Sequence, residues 1–504
     1  MRCFRCVWVF IAFVAAGVSP LLVAADGETA SLQRADAQLR LNYEVLEIGD
    51  GESMGLAGVH YLVEVAPNWY FGPSGFGALY GERGGFFTGG FSAGTRRQFA
   101  PRWYLDAGMF VGGGGGGAAP QGSGLMLRPH LGVSYDLGEV VLDGAVSYVR
   151  FPDGDIDSTQ LSLGFDIPFP VFYGNAAEAG RLVPASALGG LTQRNSEWLA
   201  TWAVYNPDEP LVATSGELTD ESLERVGFEY RRHLRGDGYF MVETAGALGG
   251  ESDGFAELLA GAGYRTSLSR RSYVSAGVSV GGAGGGRVDT GGGLVGKARL
   301  GLEYWLSPDI KLGLEAGRME SAGSFAADFY GVSVGYRIGE VVSGRPGDPW
   351  QWGDGVRLAR WRLVATAHSN PDAARKSGEE QDLGLVGLKI ERFVNRTVYL
   401  TGQAFGGWDG EAGGYAVGLI GAGAELPLRA DHRLSLNMEL TGGAAGGGGV
   451  DVGAGAVVQP TLGLTWRPGR NIGLRLEGGR TRALDGELDS ELIGIGLVYE
   501  FSRL

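Results

Sequence analysis

Apolar residues alternate with polar residues or glycines along most of this chain, with a period of two. The pattern is plainest near the C-terminus. Ile493, Ile495, Leu497, Tyr499 and Phe501 fall on one side of an extended chain, and Gly494, Gly496, Val498 and Glu500 on the other. A two-residue period puts successive side chains on opposite faces, so this stretch predicts a strand with unlike faces. Leu161 to Ile167 and Val332 to Ile338 repeat the phrase with an aromatic at the same step. Those aromatics, Phe165, Tyr336 and Tyr499, lie 171 and 163 residues apart, and the chain reads as three copies of one unit.

Each copy accommodates eight strand-like segments, which align best toward its end. The sixth segments are Leu131 to Tyr135, Leu300 to Tyr304 and Leu462 to Trp466, and the seventh include Ile310 to Glu315 and Ile472 to Glu477. Gly58, Gly227 and Gly387 mark the second strand, and Gly94, Gly263 and Gly423 the fourth. A unit of this length exceeds the roughly 20–50 residues of solenoid and propeller repeats and matches a whole small barrel. The expected organisation is a leader over residues 1–25, repeats over 26–169, 198–339 and 360–504, and linkers over 170–197 and 340–359. Connections after odd-numbered strands are acidic or glycine-rich, as in Ile48 to Glu52. Those after even-numbered strands are short and often basic, as in Arg270-Arg271.

Composition narrows the class. Ninety-two glycines, 22 Phe, 19 Tyr and 11 Trp, with many β-branched residues in short runs, indicate an all-β chain. Arg2 and Arg5, an apolar run from Val7 to Val18 and small residues before Asp26 describe a secretory signal peptide cut after Ala25. Both cysteines, Cys3 and Cys6, lie within it, leaving a mature chain without a thiol. Loss of Arg2 and Arg5 takes the formal charge from −15 to −17, which argues against a nucleic-acid partner. No later stretch has the roughly 18 consecutive apolar residues of a membrane helix. A soluble β protein and an outer-membrane barrel of a Gram-negative bacterium remain.

The faces discriminate between these. In a membrane barrel every backbone group must pair and the outer face must be apolar. In the second repeat Leu300, Leu302, Tyr304, Leu306, Ile310, Leu312, Leu314, Val332, Val334, Tyr336 and Ile338 form the expected outward set. Lys297, Arg299, Glu303, Lys311, Glu315, Ser333 and Arg337 form the inward one, with Gly301, Gly313 and Gly335 between them. Opposite charges on adjacent inward strands predict a lumen filled by ion pairs, to which Arg475 and Glu477 contribute in the third repeat.

The ending built on Gly496, Tyr499 and Phe501 resembles the closing strand of bacterial outer-membrane β-barrel proteins, and the repeat size is similar to that of the small eight-stranded members. That family usually ends on the aromatic itself, whereas Ser502, Arg503 and Leu504 follow here. The resemblance implies a transmembrane antiparallel up-and-down barrel with recognition by the barrel-assembly machinery during insertion. It also implies outer-membrane lipid and lipopolysaccharide as surroundings.

Chemistry is sparse. The five histidines (His60, His130, His233, His368 and His432) share no position across the repeats and show no metal-ligand spacing. His130 with Ser134 and Asp136 is the nearest approach to a hydrolytic group, which a lipid-modifying barrel would need. The runs Gly112–Gly117, Gly281–Gly286 and Gly446–Gly449 end the fifth strand of each repeat. They lack the helix and lysine of a phosphate loop, and read as flexible strand ends and external loops. No cofactor or metal is expected. Twenty-four strands as three tandem barrels predict a structural, surface or narrow-channel role without catalysis. The same strands as one wide barrel predict a pore for a polymer or polypeptide. A lipid-modifying enzyme is the third reading.

Overall fold

The computed structural model describes residues 32–49, 51–212, 218–219, 222–234, 236–250, 252–344, 354–429, 431–469 and 471–504. The leader expected over residues 1–25, with Cys3, Cys6 and the cleavage point after Ala25, lies outside the described residues.

The first strands are β1 (Gln33–Glu47), β2 (Ser53–Ala66), β3 (Trp69–Tyr80), β4 (Phe87–Ala100), β5 (Trp103–Gly115), β6 (Met126–Asp136), β7 (Val141–Arg150) and β8 (Asp157–Asn175). The short β9 (Leu182–Pro184) leads to β10 (Leu191–Pro207), then to β11 (Leu211–Val212) and β12 (Leu218–Thr219) in a loop. The middle set continues with β13 (Leu223–His233), β14 (Gly238–Gly249), β15 (Ala256–Ser267), β16 (Ser272–Gly284), β17 (Leu294–Trp305), β18 (Ile310–Ser321) and β19 (Ala326–Ser343). After the short β20 (Gly355–Arg357) come β21 (Ala359–Ala374), β22 (Glu380–Phe393), β23 (Val398–Asp409), β24 (Ala416–Pro427), β25 (Leu434–Gly446), β26 (Ala456–Trp466), β27 (Ile472–Ala483) and β28 (Asp489–Arg503).

The fold is an all-β antiparallel barrel architecture. Strands β10 and β13–β19 form a closed eight-stranded barrel, in which β10 pairs with β19 over 17 positions from Leu191↔Ser343 to Pro207↔Ala327. The remaining long strands form one 16-stranded sheet ordered β1–β8, β28, β21–β27. Within that sheet β1 returns to β8 over 12 pairs, and β21 pairs with β28 over 11. Only two pairs, Phe501↔Asn175 and Ser502↔Gly174, join β28 to β8.

Hydrogen bonding therefore does not run through all 24 long strands as one ring, which corrects the wide-pore expectation. Nor does it separate the strands into three unconnected sheets, because β8 and β28 extend past the expected ends, Phe169 and Phe501, far enough to touch. The expected linkers 170–197 and 340–359 likewise carry strand. They hold the end of β8, the start of β10 and the end of β19. Their short strands β9 and β20 pair through Val183↔Val356. Phe172, Val183, Leu188, Val341, Val356 and Leu358 bury one another there as a small separate core.

The strands form where the alternation predicts. In β17, buried and exposed residues alternate almost strictly from Leu294 to Trp305. Tight turns use residues that tolerate left-handed backbone, such as Asn68 at φ +67° between β2 and β3. The apolar side chains face out: Leu300 is 66% exposed, Leu314 58%, Leu163 68% and Ile493 64%. Two members of the expected outward set depart from this, Tyr336 being half-buried and Ile338 buried. They lie at the end where the last strand set packs on the middle barrel, and Arg392 there stacks over Tyr336 at 5.1 Å.

Candidate functional site

The alternation gathers charged side chains on the inward face, and in the middle barrel they become a network. Lys297 lies 3.1 Å from Glu243 and 3.5 Å from Glu257. Arg299 reaches Glu229 at 2.6 Å, Glu315 at 3.2 Å and Glu243 at 3.3 Å. Lys311 sits between Glu197 (2.6 Å) and Glu303 (2.8 Å). Pattern reading did not single out Arg225, Arg231 and Arg265. Arg225 pairs with Glu257 at 3.2 Å, Arg231 with Glu229 at 2.8 Å and with Glu303, and Arg265 with Glu197 at 3.0 Å. Six cations thus face six carboxylates in this network, so burial of each charge is offset by a partner.

Arg337 stands beside the network instead of in it. Its guanidinium lies 4.0 Å from the centre of the Trp305 ring, beside the β17–β18 turn, where the Arg337 amide donates to the Asp309 carbonyl at 2.8 Å. Gly335 explains how Lys311 fits. It pairs with Lys311 across β18 and β19, and a Cβ on it would lie 2.8 Å from the lysine stem.

In β21–β28 the expected Arg475 and Glu477 are both buried and paired. Arg475 bonds Glu391 at 2.6 Å and Glu439 at 3.2 Å, while Glu477 bonds Lys389 at 2.6 Å and accepts from His368 at 2.6 Å. The sequence offsets show a swap: Lys311 corresponds to Gly473, and Gly313 to Arg475. A second knot at the strand ends joins Arg360 to Glu500 at 2.8 Å and Arg467 to Glu425 at 2.6 Å.

In the β1–β8 interior, where the alternation is looser, the sequence points inward only His130, Ser134 and Asp136. Arg40 bonds Asp106 and Asp166, each at 2.9 Å, and Arg96 bonds Asp106 at 2.9 Å, Asp143 at 3.1 Å and Asp166 at 2.5 Å. Arg128 pairs with Glu44 at 2.7 Å. A cavity of about 30 Å³ remains beside Arg40, His60, Tyr70, Asp106, Arg128 and His130.

Beyond the charges each interior carries an apolar plug at the long-loop end. Phe76, Phe86, Phe110 and Phe151 form it in β1–β8, Tyr205, Phe255, Phe325 and Phe329 in the middle barrel, and Phe405, Tyr415, Val417 and Leu419 in β21–β28. These residues sit on the inward parity at strand ends, a signal that could have been read from the alternation. A level of paired charge stacked on a level of packed aromatics leaves little room for a permeating solute.

The hydrolytic candidates are not brought together. His130 bonds Asp106 at 2.9 Å, Ser134 donates to Asp143, and Asp136 accepts from the Gly138 amide at 2.7 Å at the strand end. The glycine runs do end β5, β16 and β25, but Gly112–Gly115 and Gly282–Gly284 are buried by neighbouring strands, which corrects the expectation of free loops. In the closing strand Gly496 faces inward near Val364, while Tyr499 and Phe501 stack at 5.9 Å. Tyr499 also packs against the cluster of Phe91 and Ala365 instead of standing clear.

No protein-family model and no curated protein matches the chain. Among solved structures it is similar to Acinetobacter baumannii OccAB3, at 12% identity and a TM-score of 0.23 over 93% of this chain and 99% of that one. The outer membrane protein opdK from Pseudomonas aeruginosa gives 10% identity and 0.24, over 93% and 98%. The siderophore receptor PirA from Pseudomonas aeruginosa gives 11% and 0.26, over 95% of this chain and 81% of that one. Likenesses of that size carry no inference about the role of this chain.

Proposed function

We propose that this chain is an integral bacterial outer-membrane protein built as three consecutive eight-stranded barrels with filled lumens. It serves a structural or surface role without conduction or catalysis. The observation that carries this reading is the inversion of faces. Leu300, Leu302 and Leu314 are exposed on the outside while Lys297, Arg299 and Lys311 are buried within. Water would penalise that arrangement, whereas a lipid bilayer favours it.

The pairing counts support three barrels. A strand that continued a larger sheet would pair fully on both sides, yet β8 shares 12 pairs with β1 and two with β28. The units take the boundaries 26–169, 198–339 and 360–504, with the segments between them forming the small core around Val183 and Val356. The outward band supports outer-membrane lipid and lipopolysaccharide as surroundings. Gly496, Tyr499 and Phe501 support recognition by the barrel-assembly machinery.

Two measurements test the reading. The full chain should fractionate with outer membranes and migrate as a heat-modifiable species; recovery as a freely dissolved periplasmic protein would sink it. In planar lipid bilayers the purified chain should hold no stable open state, and a long-lived conductance on the nanosiemens scale would refute filled lumens.

A further inference from the structure

The glycine runs and the loops after β3, β14 and β23 make one set of contacts three times. Gly85, Gly254 and Gly414 sit in those loops with left-handed φ of 84°, 90° and 94°. Each precedes an aromatic buried in its own apolar plug: Phe86, Phe255 and Tyr415. The aromatic's amide bonds the carbonyl three residues back, at 3.1 Å to Arg83, 3.0 Å to Ser252 and 2.9 Å to Ala412. The turn is therefore fixed by its own group, and its glycine is presented outward.

What each glycine meets belongs to the next group. Gly85 lies against Gly284 and Gly285, Gly254 against Gly446 and Gly447, and Gly414 against Gly115 and Gly116. The preceding residue makes a polar link to that same group. The Gly84 amide donates to the Gly291 carbonyl at 2.9 Å, Lys376 donates to Asp253 at 2.6 Å, and Gln121 donates to the Gly413 carbonyl at 2.9 Å. A third contact repeats as closely. Gly124, Gly293 and Gly455 have φ of 94°, 97° and 104°. A Cβ on any of them would lie 2.5 Å from a carbonyl oxygen of the adjoining group, that of Gly407, Ala78 or Ala247 respectively. Only glycine allows backbones so close. The direction never changes: the β3 loop docks on the middle barrel, the β14 loop on β21–β28, and the β23 loop on β1–β8.

We propose that this glycine turn is the docking element of an internal three-fold ring, in which each barrel is the partner of the next. A head-to-tail contact either closes or propagates, and here it closes after three steps within one chain. The inference rests on the reading of three closed barrels. Its consequence is that the intact chain has no free docking face and stays monomeric, whereas opening one interface exposes two complementary faces that a second copy can occupy.

The test uses the full chain with Cys3 and Cys6 replaced by serine. Gly246→Cys with Ala444→Cys bridges the interface between the middle barrel and β21–β28. A Cβ on Gly246 would lie 3.2 Å from that of Ala444, within reach of a disulfide after a small adjustment. Nearly complete oxidation within single chains is expected, read as a faster band on non-reducing denaturing gels. Gly406→Trp sets a bulky side chain against Gly113 across another interface. It should leave heat-modifiability intact and raise the particle mass in detergent from one chain to two or more. A heat-modifiable chain whose cysteines stay reduced, or link only chain to chain, overturns the docking ring; so does a Gly406→Trp protein that remains one chain per particle. An unsubstituted chain that is never heat-modifiable removes the underlying barrel reading instead.

Discussion

The middle barrel neutralises its interior with glutamates, and the β1–β8 group does so mainly with aspartates. In the first case Glu197, Glu229, Glu243, Glu257, Glu303 and Glu315 reach cations on several strands and pack the space between them. In the second, Asp106, Asp143 and Asp166 gather around Arg40 and Arg96 and leave the cavity of about 30 Å³ near His130. That volume is room for a water molecule or two beside polar walls. Strand number and stagger fix the radius of a closed barrel. One methylene more or less on each carboxylate then sets how far it reaches across the interior.

The largest expected effect is in the packed interior. Glu303→Ala leaves Arg231 and Lys311 buried without that partner, and should cost about 3–5 kcal/mol in urea unfolding from lipid vesicles. Next comes the outer face, where the two groups should respond alike. Leu302→Arg and Leu131→Arg should each cost about 2–4 kcal/mol if they face the bilayer midplane, falling off nearer its edges. A tolerated arginine at Leu302 would break the assignment of inside and outside.

Asp106→Ala sharpens the contrast between interiors. Water entering the adjoining cavity can hydrate Arg40 and Arg96, so the loss should fall to about 1–3 kcal/mol. A loss equal to that of Glu303→Ala would erase the distinction between the two interiors.

The smallest effect lies outside both interiors, at Asp289. The Ser324 hydroxyl, first, and the Gly291 amide, second, bond its carboxylate and hold its pKa below the ordinary value. A carboxyl depressed in the folded state adds stability above its unfolded pKa, near 4, and loses it as pH falls through the lower folded value. Ser324→Ala should therefore reduce stability at pH 7 by less than about 1 kcal/mol. The difference from wild type should shrink in paired thermal melts as the pH falls through the folded value. A difference that grew on acidification would reverse the sign of this contribution.

Much of the strand plan was legible because one face of each strand meets a different environment from the other. Leu300, Leu302 and Leu314 had to go where Lys297, Arg299 and Glu303 did not, and a period of two says so without a partner strand in view. The membership of the ionic network was only partly legible. Arg231 and Glu229 lie two apart on one strand, but their pairing with Glu303 and Arg299 depends on which strands face across the barrel, which local sequence does not encode. Arg337 shows the converse error, its parity being right and its depth being set by the nearby turn. The apolar plugs are not legible from a polar inward pattern, because inward Phe110 and Phe329 interrupt that parity at strand ends.

By itself the sequence determined that this is a strand-built chain with a greasy side and an ionic side, because alternation is a local property of the backbone. Ring closure, the two-pair junction of β8 with β28 and the packing of the glycine runs against neighbouring groups were decided by tertiary structure alone. They depend on which distant backbones come within bonding distance, and a glycine that permits close approach looks the same in sequence as one that merely bends a loop.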